Sequence, residues 1–164
     1  MLRRNCLSNW IFLAAVLGVL AGCSVVEEEK TVYLERSMDR IYNNALDLLK
    51  IREYKAAAAE FDEVERQHPY SSWATKAQLM SAYSYYTGNA YPEAISGLER
   101  FIQLHPAHKD TPYAYYLKGL SYYEQISDVG RDQQMTTMAL KSLREVVARF
   151  PKTKYARDAK LKID

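Results

Sequence analysis

The 164-residue sequence predicts an all-α fold, a right-handed α-solenoid of three helix pairs followed by the first helix of a fourth. Two observations predict it. The first is a proline register. Three segments, AAAEFDEVERQHP, AISGLERFIQLHP and ALKSLREVVARFP, end in Pro69, Pro106 and Pro151, and alanine stands twelve residues before each, at Ala57, Ala94 and Ala139. Phe61, Leu98 and Leu143 stand eight residues before those prolines, and Val64, Phe101 and Val146 five before. The second lies upstream, where a 37-residue shift superposes Ala45 on Ala82 on Gly119 and Leu48 on Tyr85 on Tyr122. It also carries Tyr54 onto Tyr91 and Tyr86 onto Tyr123.

The elements follow in order. Residues 1–22 read as a cleaved signal: Arg3 and Arg4 precede an apolar run of eleven residues, Trp10 to Leu20. A spanning helix needs roughly 20 apolar residues, so a shorter run behind paired arginines marks export. Leu20-Ala21-Gly22-Cys23 resembles the bacterial lipobox, with cleavage before Cys23 and lipid on its sulfur. Ser24, a residue other than aspartate after that cysteine, resembles the signal for sorting to the outer membrane. Residues 23–36 then form a lipidated N-terminus and tether containing the charged run EEEK.

Cleavage removes two of the 22 basic residues, leaving 20 against 20 acidic ones. A balanced mature chain argues against a nucleic-acid partner, which asks for a basic stripe. Of the two cysteines only Cys23 remains, so no internal disulfide is available and buried apolar area must hold the fold.

The repeat domain covers 37–164, in units of about 37–69, 71–106 and 110–151 and a partial unit 153–164. The pattern resembles the tetratricopeptide repeat, a pair of antiparallel helices A and B. Small residues let the two helices approach, large ones fill the space between units, and proline ends helix B because it cannot continue the hydrogen-bond ladder. Ser71 or Ser72, and Thr111, are placed to cap the next helix A. The proline spacing is 37 and then 45, which places an eight-residue insertion in the third unit, around ISDVGRDQQM. TKYARDAKLKID opens a fourth helix A without its partner helix, so the chain is expected to be C-terminally truncated.

No GxSxG, HExxH, P-loop or GxGxxG motif occurs, and the carboxylates are scattered over polar helix faces, so the reading is non-enzymatic, without cofactor. His68 and His105 share the position before proline and read as helix-end residues; His105 and His108 lack a third ligand, so no metal is expected. Leu48, Tyr85 and Tyr122 are expected to pack inward, with Tyr54 and Tyr91 at the corners between helices. The groove-facing positions of helix A fall on Tyr42, Tyr83, Tyr86, Tyr113, Tyr116 and Tyr123, interspersed with Asp39, Leu46, Leu49, Lys76, Leu79 and Leu120. Such a groove suits an extended peptide bearing aromatic side chains, because tyrosine gives large contact area with few rotors to freeze.

LAGCS, LERFIQLHP followed by AHKDTPYAYYLKGL, the GRDQ of the insertion and FPKTKYARDAK together resemble the BamD family, lipoproteins of the outer-membrane β-barrel assembly machinery. The resemblance covers nearly the whole chain. It implies a lipid-anchored position on the periplasmic face of the outer membrane. It also implies binding to the barrel protein BamA, to other subunits of the machinery, and to unfolded outer-membrane proteins through their aromatic C-terminal signal. A periplasmic repeat lipoprotein scaffolding other cell-envelope or peptidoglycan proteins would share the lipobox and the repeat, but is not expected to carry the insertion or the aromatic groove.

Overall fold

A computed structural model describes residues 35–126 and 133–164. The signal segment, Cys23, most of the expected tether and the Gly130-Arg131-Asp132 part of the insertion lie outside the described residues. Seven helices and no strand occur among the described residues. They are α1 (Met38–Lys50), α2 (Tyr54–Gln67), α3 (Ser72–Thr87), α4 (Tyr91–Leu104), α5 (Thr111–Tyr123), α6 (Gln133–Arg149) and α7 (Lys154–Ile163).

The repeat register sets what is buried. Ala57, Ala94, Phe61, Leu98, Leu143, Val64, Phe101 and Val146 are all fully buried, and Ala139 nearly so. Each large side chain taken out of water contributes about 1.5–3 kcal/mol. Small residues do the complementary work. A Cβ on Gly119 of α5 would stand 2.7 Å from Leu143 Cδ2, so the missing side chain is what lets α6 lie this close. Tyr54 uses Gly88 in the same way at the α1–α2 corner, where a Cβ on Gly88 would come within 2.8 Å of the tyrosine Cβ.

The turns repeat as faithfully as the helices. Arg52 and Asn89, 37 residues apart, both take the left-handed conformation, with φ of 66° and 58°. Each ends a helix A and aims the chain back along it. Ser71 caps α3 by accepting from the Ala74 N–H at 3.1 Å, and Thr153 caps α7 by accepting from Ala156 at 3.2 Å. Thr111 behaves differently from the cap expected of it. It is the first residue of α5, behind Asp110, and its hydroxyl donates to the His105 carbonyl at 2.7 Å, tying α5 to the end of α4.

Consecutive helices pack on one another, which is the signature of a helical solenoid. The A helices α1, α3, α5 and α7 also approach one another in sequence, whereas the backbones of α2 and α4, linked through the Glu65–Arg100 ion pair, stay apart, as do those of α4 and α6. The stack is therefore closed along its A side and opens between its B helices. That asymmetry makes two kinds of surface.

Three expectations need correction. Arg36, expected in the tether, is fastened to the first unit. Its N–H donates to Gln67 Oε1 at 2.7 Å, its guanidinium pairs with Glu60 at 3.0 Å, and its carbonyl accepts from His68 Nε2 at 2.8 Å. His68 is thus a clamp on the entering chain as well as a helix-end residue. Tyr85 and Tyr122, expected inside, are only partly buried, as is Leu48 in the first unit, because the small residues three places before them, Ala82, Gly119 and Ala45, take the buried face.

Candidate aromatic site on the A helices

The six groove tyrosines do not share one environment. Tyr42 is 4% exposed, packed edge-on against Phe61 at 5.2 Å and Trp73 at 4.8 Å, with the Lys76 ammonium 5.4 Å from its ring centre. It is a core residue, not a groove residue. The reason is Trp73, at the start of α3, which closes over it.

The other five lie on α3 and α5, where Tyr83, Tyr86, Tyr113 and Tyr116 make an aromatic band; among the described residues no ring contact joins Tyr123 to it. Tyr83, Tyr86 and Tyr113 lie partly buried on the cluster made by Leu79, Ala82, Leu98, Phe101, Ala114 and Leu117. Tyr86 meets Tyr91 edge-on at 5.9 Å. Burial first, and then the neighbouring Tyr83, Tyr155 and Tyr86, pushes the Tyr113 phenol far above its ordinary value of 10.0. Burial and then Glu124 raise the Tyr86 phenol as well. These phenols therefore stay neutral in physiological conditions, each keeping a hydroxyl that can donate. Tyr116 donates to the Asp158 carboxylate on α7, and Tyr123, 39% exposed, carries the Lys162 ammonium 5.0 Å from its ring centre.

One member of the band is absent from the expected set. Tyr155 of α7 stacks on Tyr116 at 5.6 Å and leans on Tyr113 at 5.4 Å. Tyr116 and Tyr155, with Lys154, Arg157, Asp158 and Leu161, line an open hollow of about 510 Å³ at the α7 end of the band. Aromatic walls and two cationic side chains sit together there. The spacing held the clue: Tyr155 stands four residues after Pro151, as Trp73 stands four after Pro69.

Among the described residues no group of three or more His, Cys, Asp or Glu is placed to hold a metal ion. The His105 and His108 rings, 6.3 Å apart, pack on Phe101 at 5.2 and 5.7 Å and help close the end of the second unit.

The stacked helix pairs define a helical-repeat protein of the solenoid class. A family model described as an outer membrane lipoprotein, YfiO, matches residues 34–164. The outer membrane protein assembly factor BamD of Caulobacter vibrioides is 47% identical over 157 residues, covering 94% of this chain and 52% of the relative. The BamD of Rickettsia prowazekii is 44% identical over 146 residues, covering 89% and 57%. That of Neisseria meningitidis serogroup A is 31% identical over 163 residues, covering 91% and 61%. The chain belongs to this family of outer membrane lipoproteins, the BamD assembly factors. It spans between about half and three-fifths of the length of these curated relatives.

Proposed function

We propose that this chain is a non-enzymatic, lipid-anchored scaffold of the outer-membrane β-barrel assembly machinery. In this reading residues 1–22 are the cleaved signal, Cys23 carries the lipid, and the repeat domain faces the periplasm. It binds BamA and companion subunits, and it receives unfolded outer-membrane proteins by their aromatic C-terminal ends. The observation that carries the substrate reading is the band of Tyr83, Tyr86, Tyr113 and Tyr116 running into the hollow beside Lys154 and Arg157, with Tyr123 proposed as its outer member. An incoming aromatic ring finds stacking partners there, and a terminal carboxylate finds two cations. Buried aromatic anchors of this kind commonly account for about 2 kcal/mol each, some thirtyfold in affinity.

The test is a peptide ending in phenylalanine with a free carboxylate, titrated against the full chain in detergent, alongside its C-terminal amide. Tyr83→Ala, Tyr86→Ala and Tyr116→Ala should each weaken the free acid about tenfold or more, with melting curves near wild type. Arg157→Gln should erase the preference for acid over amide. Wild-type binding by all three tyrosine variants would remove the band from the reading. The anchor is tested separately. Acyl chains contribute ~0.8 kcal/mol per buried CH₂, so Cys23→Ala should leave the domain unprocessed or release it from the membrane fraction. A variant that stays mature and membrane-bound would refute lipidation at Cys23.

A further inference from the structure

The hollow at the α7 end of the band contains a carboxylate of its own. Asp158 lines it together with Tyr116, Lys154 and Arg157. On α7, Lys154 stands four residues before Asp158 and Lys162 four after, so a lysine lies one helical turn away in either direction. Such neighbours pair elsewhere in this chain: Lys50 with Asp47 on α1 at 2.7 Å, and Arg149 with Glu145 on α6 at 2.8 Å. Asp158 pairs with neither of its lysines. Its carboxylate accepts instead from the Tyr116 hydroxyl of α5.

The cations around it are left over. Lys154 lies 5.2 Å from the centre of the Tyr155 ring, and Lys162 lies 5.0 Å from that of Tyr123. Arg157 is exposed and has no carboxylate partner among the described residues. A brace between α5 and α7 does not require this arrangement, because in an open hollow water can serve a tyrosine hydroxyl and an aspartate can pair with its own lysine. What the arrangement achieves is a carboxylate held on the Tyr116 hydroxyl while Lys154 and Arg157 stay unpaired beside it.

We propose that Asp158 is a built-in placeholder for the C-terminal carboxylate of an incoming chain. An arriving terminus takes the Tyr116 hydroxyl and the charges of Lys154 and Arg157, and Asp158 turns along α7 to Lys162, the favourable order for a pair four residues apart. The inference rests on the hollow being the site for an aromatic C-terminal end, and adds how that site stays selective. A segment without a terminal charge displaces Asp158 at a loss, because it brings nothing for the cations to bind. Selectivity here comes from a built-in competitor as much as from attraction.

The test uses the full chain in detergent with the phenylalanine-ended peptide and its C-terminal amide. Asp158→Asn keeps an acceptor for Tyr116 and removes the charge. It should bind the free acid about tenfold more tightly than wild type does, and the amide within about twofold of wild type. Asp158→Glu retains the charge and should not tighten the acid. Carboxyl carbon NMR on the wild-type chain adds a readout that needs no variant: the Asp158 signal should move with the acid and stay with the amide. A contact that only braces α5 against α7 would instead give Asp158→Asn a lower melt and equal weakening of both peptides. That pattern, an Asp158→Asn affinity for the acid no tighter than wild type, or an Asp158 signal that the acid leaves in place would each overturn the proposal, while Tyr83→Ala, Tyr86→Ala and Tyr116→Ala still bind weakly. Wild-type binding by those three variants would remove the band reading and this proposal with it.

Discussion

Gly119→Ala tests the register of the solenoid most sharply, because two effects of known sign oppose each other there. In the interior of a helix, alanine is about 1 kcal/mol better than glycine. Against that gain stands Leu143. The new Cβ would fall 2.7 Å from its Cδ2 and 3.2 Å from its Cγ, and Leu143 is fully buried. Two of its carbons are crowded, and a fully buried side chain turns aside only by displacing its own neighbours. Overpacking of this kind costs about 1–3 kcal/mol, so the net change should be a loss of up to about 2 kcal/mol. Removing the leucine separates the two effects. Leu143→Ala alone should cost about 2–5 kcal/mol through its cavity. Adding Gly119→Ala to that background should instead stabilise by about 1 kcal/mol, because the clash is gone and the propensity gain remains. Urea melts of the four proteins, followed by far-ultraviolet circular dichroism, give the coupling directly. If Gly119→Ala has the same effect in both backgrounds within about 0.5 kcal/mol, the α5–α6 contact is not where the repeat places it.

Three further outcomes follow from particular contacts. Tyr42→Ala should behave as a core truncation, losing about 3–5 kcal/mol in a urea melt; a loss below 1 kcal/mol would return Tyr42 to the surface. Arg52→Gly should raise stability by roughly 0.5–1 kcal/mol, because glycine takes the left-handed turn without the strain an arginine bears, and an unchanged or lower melt would contradict that backbone. The adjacent carboxyls of Asp62 and Glu63 should titrate on opposite sides of their ordinary values. Burial holds Asp62 above 3.8, while the hydrogen bond from Arg66 holds Glu63 below 4.5. Asp62 therefore favours the folded state at low pH and loses that contribution as pH rises through its raised value. Glu63 contributes above 4.5 and loses its contribution as pH falls through its lowered value. Carboxyl carbon NMR on the folded chain reads both, and two unshifted titrations would refute the assignment.

The repeat was legible because a solenoid writes its core at fixed intervals. Ala57, Ala94 and Ala139, or Phe61, Leu98 and Leu143, occupy equivalent places between helices, so physical demand and sequence spacing coincide. The aromatic face was legible only in part, because it is made by neighbouring units jointly. Counting positions within helix A places Tyr42 and Tyr116 at the same site, and both are indeed met by a ring from the next A helix. Trp73 comes down on Tyr42 and Tyr155 on Tyr116. Yet Tyr42 also rests on Phe61 beneath it and disappears into the core, while Tyr116 keeps its hydroxyl on Asp158 beside an open hollow. At the boundary between the second and third units the corresponding place is Asp110, which brings no ring, and Tyr113 of α5 joins Tyr83 and Tyr86 on the second unit's cluster instead. Exposure along this face is therefore decided by the residue four places after each proline as much as by the groove position itself. A rule written for one repeat cannot contain that information, and a rule written for pairs of repeats would have found Trp73 and Tyr155 together.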